Sequence, residues 1–317
     1  MSTGFDEATS PCSFPYVDLL YDYGQFLRNA VDAIGYLPPE TANRHIGIVG
    51  AGLTGLVAAY ELLRAGARRV TLFEAAEEHL GGRLLTQRFD DDHPQFIAEM
   101  GAMRFPPSEV GLFHYLNRFG IKTTETFPDP GVVDTEIHYR GETHHWAAMQ
   151  PPPAIFSTVH RGWNAFLKEG VTFDDGTCLA PALLLTELLK QHNYAKVQPE
   201  WQRYLDCFGD SSFYSAMVRI FTGSNPPGGQ QWRKPEDFHL FGSLGIGSGG
   251  FQSVYRASFT EILRLVVNGL EVNQRLVPMG ISSLSELIAD TSSNGMPLRD
   301  RICRTASSPS IRDRKST

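Results

Sequence analysis

The run from His45 to Ala75 limits what this chain can fold into more than any other stretch of it. It reads His45-Ile-Gly-Ile-Val-Gly-Ala-Gly-Leu-Thr-Gly55, continues as an apolar-periodic segment to Gly66, and closes with Val70-Thr-Leu-Phe-Glu74-Ala75. The pattern predicts a strand, a glycine turn, a helix, a second strand and then an acid, in the order and spacing of a dinucleotide-binding unit. Ile46 and Ile48 alternate before the turn, and Leu56, Ala59, Tyr60 and Leu63 share one helical face after it. Gly50 permits the tight turn out of the strand, Gly52 lets backbone approach a pyrophosphate, and Gly55 lets the helix pack closely on the sheet. The helix dipole then points at the phosphates. Glu74, 19 residues after Gly55, stands where a carboxylate accepts hydrogen bonds from ribose hydroxyls. An acid at that place disfavours a ribose 2′-phosphate and leaves NAD or FAD.

The segment Gly81-Gly82-Arg83 comes shortly after Glu74. A simple NAD dehydrogenase has no evident need of it, whereas in a flavoprotein Arg83 neutralises pyrophosphate and the glycines leave room for a large buried cofactor. Other motifs carry less. His144-His145 has no acid or histidine following at metal-ligand spacing, so a solvated loop is expected and no metal site. The glycine-rich run from Gly242 to Gly250 lacks the Lys-Ser/Thr of a phosphate-binding loop.

With 317 residues, 42% of them hydrophobic and 20% charged, the chain has the make-up of a soluble protein with one large domain or two. A net charge of −7 argues against nucleic acid or an anionic membrane as a partner. Cys12, Cys178, Cys207 and Cys303 are far apart, form no C-x-x-C pair and suit a reducing compartment. There is no secretory signal pattern at Met1 and no run approaching the ~20 apolar residues of a membrane span, so a cytoplasmic location is expected.

Four regions follow from the pattern. Residues 1–44 form a leader whose Tyr16, Leu19, Leu20, Tyr21, Tyr23, Phe26 and Leu27 suit packing on a larger body. Residues 45–150 form the cofactor-binding domain, with a helix opened by Ser108 and Glu109 and stopped by Gly120, and a strand at Thr135–Tyr139. Residues 151–302 are mostly helical, including a helix near 254–267 with Tyr255, Phe259, Ile262, Leu263 and Val266 on one face. Residues 303–317 are polar and basic, the composition of a disordered or frame-shifted tail.

Residues 18–141 and 232–287 together resemble the bacterial tryptophan 2-monooxygenases, within the flavin-dependent amine oxidase superfamily. The runs that carry the resemblance include Asp18-Leu-Leu-Tyr-Asp-Tyr-Gly24, Glu99-Met-Gly-Ala-Met-Arg-Phe-Pro-Pro107 and Phe127-Pro-Asp-Pro-Gly-Val-Val-Asp-Thr-Glu136. Others are Phe241-Gly-Ser-Leu-Gly-Ile-Gly-Ser-Gly-Gly-Phe251 and Gly280-Ile-Ser-Ser-Leu284. The resemblance implies an α/β fold: a Rossmann-like FAD-binding domain with a second, largely helical substrate domain, incomplete at the C-terminus. It implies FAD held by Gly50, Gly52, Thr54, Gly55 and Glu74, with the flavin ring against Gly101-Ala102-Met103. It also implies that Arg104 clamps the substrate carboxylate, for which a planar guanidinium is suited. The alternative for Arg104 is an ion pair with Glu99 or Glu109. The implied partners are L-tryptophan, or another L-amino acid, and O2; the implied outcome is indole-3-acetamide, an auxin precursor. Trp146 is then either a wall of an indole pocket or an ordinary core or surface tryptophan.

Two departures qualify the resemblance. Ala76 stands where the family usually has an arginine, in a segment, Ala76-Glu77-Glu78-His79-Leu80, that lacks the family's basic residues. Family members also continue past Thr317, and the portion beyond supplies further sheet, more of the substrate domain and a lysine at the flavin. The expectation is therefore a truncated, inactive form. The other readings are an L-amino-acid oxidase of the same superfamily and a non-catalytic remnant without flavin.

Overall fold

The computed structural model describes residues 26–27, 34–90, 92–93, 95–107, 109–125, 130–246, 249–269, 274–293 and 295–304. The chain divides into two compact units, Tyr23–Thr126 with Asn273–Thr317, and Met1–Asp22 with Phe127–Val272.

The first unit is built on the glycine motif. β1 (His45–Val49), α1 (Leu53–Arg64) and β2 (Arg69–Glu74) follow in the expected order, and β1 pairs with β2 in parallel, from His45 opposite Arg69 to Val49 opposite Phe73. Leu56, Ala59, Tyr60 and Leu63 are the buried face of α1, as their spacing predicts, and they share a core with Val70 and Leu72. The crossover from β1 through α1 to β2 gives the parallel pair its helical cover on one face. The other face is open. Val49 is 93% and Phe73 41% exposed. Parallel sheets normally have both faces covered.

A hairpin of β3 (Thr86–Arg88) and β4 (Ile97–Glu99) follows, then α2 (Val110–Arg118). The expected cap Ser108 lies outside the described residues; α2 ends at Arg118 with Phe119 as its C-cap, just ahead of Gly120. α1 and α2 meet through a buried charge. The Glu61 carboxylate, 2% exposed, accepts from Arg64 Nη1 at 2.6 and 2.7 Å and from the Tyr115 hydroxyl at 3.1 Å, so it is buried already paired. β5 (Thr124–Glu125) pairs antiparallel with Arg275–Leu276. The helix Ser282–Asp290 then buries Leu284, Ile288 and Ala289 in the same core as α1.

The second unit is mainly helical. A hairpin, Thr135–Tyr139 with Glu142–Trp146, turns through Arg140 at φ 51° and Gly141 at φ 84°, the two positive values that suit the twist of a tight hairpin. Helices follow at Ser157–Glu169, Ala182–Lys190, Tyr194–Phe208, Phe213–Thr222, Pro235–Ser243 and Phe259–Val267. Their core is aromatic. Phe221 stacks on Trp232 with ring centroids 3.8 Å apart, and Phe259 lies 4.7 Å from Phe208 and 6.0 Å from Phe213.

Three expectations need correction. The division at residue 150 does not match the units. The 135–146 hairpin belongs with the helical unit because Ile137 and Trp146 enter its core, and the chain from 274 returns to the first unit because Val277, Ile281 and Leu284 enter that one. The polar composition expected to begin a tail at 303 does not end the fold there. Ile302–Arg304 is a strand paired in parallel with β2, with Ile302 opposite Leu72, since backbone pairing asks little of side chains. The Arg304 guanidinium adds bonds to Ala76 O and Glu77 O. Tyr255 lies outside the Phe259–Val267 helix, after a short 3-10 turn at Phe251–Val254. The tail from 305, Cys12, the run Asp18–Gly24 and the leader residues Tyr16 to Tyr23 lie outside the described residues. Among the described residues no helix is long and apolar enough to cross a membrane.

Phe259 is fully buried among four aromatic rings, so Phe259→Ala should cost about 3–5 kcal/mol, whereas Met149→Ala, at a side chain 77% exposed, should change stability by less than about 0.5 kcal/mol. Urea unfolding followed by tryptophan fluorescence checks both. Equal midpoints for the two variants would mean this aromatic core is not what holds the unit.

Candidate functional site

The glycine turn at the end of β1 brings backbone against backbone. Gly50 takes φ 93°, in the left-handed region, and its N–H donates to Phe73 O at 2.7 Å. A Cβ on Gly55 would lie 2.0 Å from Gly50 O, so a larger residue would push α1 off the turn. The Gly81-Gly82 segment lies alongside. Gly81 N–H donates to Ala51 O at 2.9 Å, and Gly52 bridges Gly81 in parallel. The two glycine segments, separate in sequence, thus form one backbone-lined cradle.

Its electrostatics favour an anion. The first amides of a helix have no partner within it, and the first turn of α1 carries no acidic residue to oppose a phosphate. Thr54 is exposed in that turn, and Arg83 is exposed one residue beyond Gly82.

Glu74, half-buried at the end of β2, accepts from Ala51 N–H through Oε2 at 2.6 Å and from Ala76 N–H through Oε1 at 2.8 Å. Burial pushes its pKa up, but the amides of Ala76, Ala51 and Ala75, with a smaller contribution from His79, outweigh that and hold it below the ordinary carboxylate value. Ala76, where the resemblance leads one to expect an arginine, contributes its amide to this carboxylate.

Gly101, Ala102 and Met103 run beside Arg83. Ala102 N–H donates to Arg83 O at 3.2 Å and Met100 N–H to Leu85 O at 2.8 Å, and a Cβ on Gly101 would lie 1.9 Å from Arg83 O. Arg104 follows, half-buried, with Nη1 donating to Gln274 Oε1 at 3.3 Å. Its neighbour Phe105 exchanges both backbone hydrogen bonds with Arg275, at 3.0 and 2.8 Å. The Glu99 oxygens serve Ile281 N–H at 2.8 Å and the Thr86 hydroxyl at 2.7 Å.

Taken together, the backbone cradle, its positive helix end and the ionised acid beside it fit a dinucleotide cofactor. Other candidates do not join them. His144 and His145 lie in the hairpin of the helical unit, and among the described residues no cluster of His, Cys, Asp and Glu could hold a metal. Trp146 is a core residue, 7% exposed, with Nε1 donating to Gln150 O at 2.8 Å. A cavity of about 550 Å³ in the first unit, lined by Ile34, Tyr36, Leu37, Val57, Glu61 and Tyr115 among others, includes none of the predicted site residues. Sequence patterns missed Glu99, Thr86 and Gln274 as parts of the site's frame, since their partners lie far along the chain and share no local motif.

Residues 53–307 match the family model for flavin containing amine oxidoreductases. The chain is 54% identical over 291 residues to a tryptophan 2-monooxygenase of Pseudomonas savastanoi, covering 91% of this chain and 52% of that protein. It is 56% identical over 279 residues to a tryptophan 2-monooxygenase of Pantoea agglomerans pv. gypsophilae, covering 87% of this chain and 49% of that protein. An L-amino-acid oxidase of Naja atra is 39% identical over 109 residues, 34% of this chain and 20% of that protein. The chain spans about half the length of the tryptophan 2-monooxygenases it matches. With the family model matched over most of its length, around a site of this geometry, the chain belongs to the flavin containing amine oxidoreductases.

Proposed function

We propose that this chain binds FAD and serves the oxidative decarboxylation of L-tryptophan by O2 to indole-3-acetamide, CO2 and water. The observation that carries the reading is the 54–56% identity to tryptophan 2-monooxygenases over about nine-tenths of the chain, against 39% over a third of it for an L-amino-acid oxidase.

In this reading the amides around Gly50, Gly52, Thr54 and Gly55 bind the pyrophosphate, with Arg83 adding positive charge. Glu74, kept ionised by its backbone donors, accepts from the ribose hydroxyls, and the backbone of Gly101, Ala102 and Met103 faces the flavin ring. FAD, when bound, supplies the two-electron oxidation of the amino acid and the reduction of O2. Arg104 holds the α-carboxylate through two parallel N–H donors and so orients Cα–H toward the ring; reaction needs that distance held near 3–3.5 Å.

Two sets of variants test this in a flavin-binding preparation. Glu74→Ala removes the ribose acceptor and should weaken FAD binding by roughly tenfold to a hundredfold. Gly52→Val should weaken it as well. A Cβ at Gly52 meets no neighbour closer than Gly81 O at 3.9 Å, so a loss there reports on the space the pyrophosphate needs rather than on the fold. Flavin fluorescence titration measures both, and FAD affinities matching the parent would place the cofactor elsewhere.

Arg104→Ala should lower tryptophan turnover roughly tenfold to a few hundredfold, with flavin absorbance unchanged. Arg104→Lys should recover little, because an ammonium cannot reproduce the planar fork. Indole-3-acetamide is the product to quantify, since free flavin also consumes O2. Unchanged kinetics in Arg104→Ala would remove the arginine from substrate binding.

A further inference from the structure

We propose that Glu99 is a positioning residue for carboxylate recognition, acting on Arg104 through the backbone between them. This rests on the reading of Arg104 given above and extends it to a residue that touches neither cofactor nor substrate.

The Glu99 carboxylate ends β4 and is held from two directions. Oε1 accepts from Ile281 N–H at 2.8 Å and Oε2 from the Thr86 hydroxyl at 2.7 Å, across sequence separations of 182 and 13 residues. Thr86 is engaged in return by Ser282. Its Oγ1 accepts from Ser282 N–H at 3.1 Å and its N–H donates to Ser282 Oγ at 2.7 Å, while the Ser282 hydroxyl donates to Leu84 O at 3.1 Å. Each hydroxyl gives its one proton and accepts at its oxygen, so the circuit is complete with Glu99 as the carboxylate acceptor. The anion also sits at the start of the Ser282–Asp290 helix, where the dipole favours negative charge. There is little slack, since a Cβ on Gly280 would lie 2.3 Å from Thr86 Cγ2.

The consequence falls on the segment that leaves β4. Residues 100–104 run between two fixed points, the Glu99 circuit at one end and the Phe105–Arg275 exchange at the other. Arg104 is the last residue before the second point, and Ala102 is tied to Arg83 midway. Without the Glu99 circuit this end of the segment is left to the Met100 N–H bond to Leu85 O at 2.8 Å and the Ala102 N–H bond to Arg83 O at 3.2 Å, and it loosens along Arg83 while the second point still holds Phe105. The glycine cradle, tied by Gly81 to Ala51, is fixed separately. Loss of Glu99 should therefore blunt recognition of a carboxylate more than it weakens the cofactor.

Glu99→Gln supplies the direct test, because its amide must present a donor to either Ile281 N–H or the Thr86 hydroxyl. Thr86→Val, which removes the hydroxyl donor and leaves the carboxylate in place, is the second variant. In the full chain, hydrogen exchange of the amides of residues 100–105 should quicken by about tenfold in both variants, with those of α1 within about twofold of the parent. Affinity for L-tryptophan, read from perturbation of the flavin spectrum, should fall by about tenfold while that for tryptamine, which lacks the carboxylate, stays within about twofold. Equal losses for the two ligands, or unchanged exchange at residues 100–105, would overturn the proposal. If the parent chain takes up no flavin, the proposed function fails, and exchange alone still decides whether Glu99 holds the segment.

Discussion

The first unit depends on backbone approaching backbone where side chains would ordinarily stand between. At Gly55 the helix meets the turn it springs from, and at Gly101 the segment leading to Arg104 meets Arg83; in each case a single added carbon would lie within 2.0 Å of a carbonyl oxygen. Gly81 and Ala51 join the two glycine segments by a hydrogen bond. What results is a surface of amides and carbonyls at the ends of β1 and β2, rigid because both walls belong to packed elements. Such a surface suits a charged, extended ligand better than an apolar one, since dipoles rather than side-chain shape line it.

Two carboxylates complete this arrangement, Glu74 held by main-chain amides and Glu99 by one main-chain amide and one hydroxyl. Glu74 takes Ala51 and Ala76 at the end of β2, while Glu99 takes Ile281 and Thr86 at the end of β4. Glu74's lowered pKa follows from its amide donors, which overcome the penalty of burial.

The parts legible in the sequence were those whose partners are near in the chain. Strand, turn, helix and strand from His45 to Glu74 form as the alternation and glycine spacing predict, and Leu56, Ala59, Tyr60 and Leu63 are buried as a helical face. The Thr135–Tyr139 strand and most of the 155–222 helices obey similar local rules, whereas Glu142–Trp146, in place of the solvated loop expected at His144-His145, is a strand because its backbone pairs with Thr135–Tyr139. The return of residues 274–304 to the first unit could not be read this way. It rests on the backbone pairing of Arg275 with Phe105 and of Ile302 with Leu72 and on the Ile281 N–H bond to the Glu99 carboxylate, each set by a partner distant in the chain rather than by periodicity. The polar stretch at Cys303 and Arg304 misled for the same reason, because a short strand anchored by Ile302 needs no apolar run. Arg104 was singled out by resemblance to a family motif, and nothing in its own spacing announced the frame that holds it.

The central claim is that the two glycine segments and Glu74 bind a flavin through its adenosine diphosphate portion. The most direct measurement is a titration of the unmodified chain with FAD and, separately, with FMN, followed by quenching of flavin fluorescence. FMN has the same ring but lacks the adenosine that Glu74 would hold. Saturable binding of FAD, with FMN weaker by on the order of a hundredfold, is the predicted result. Equal affinity for the two, or binding of FMN alone, would contradict it.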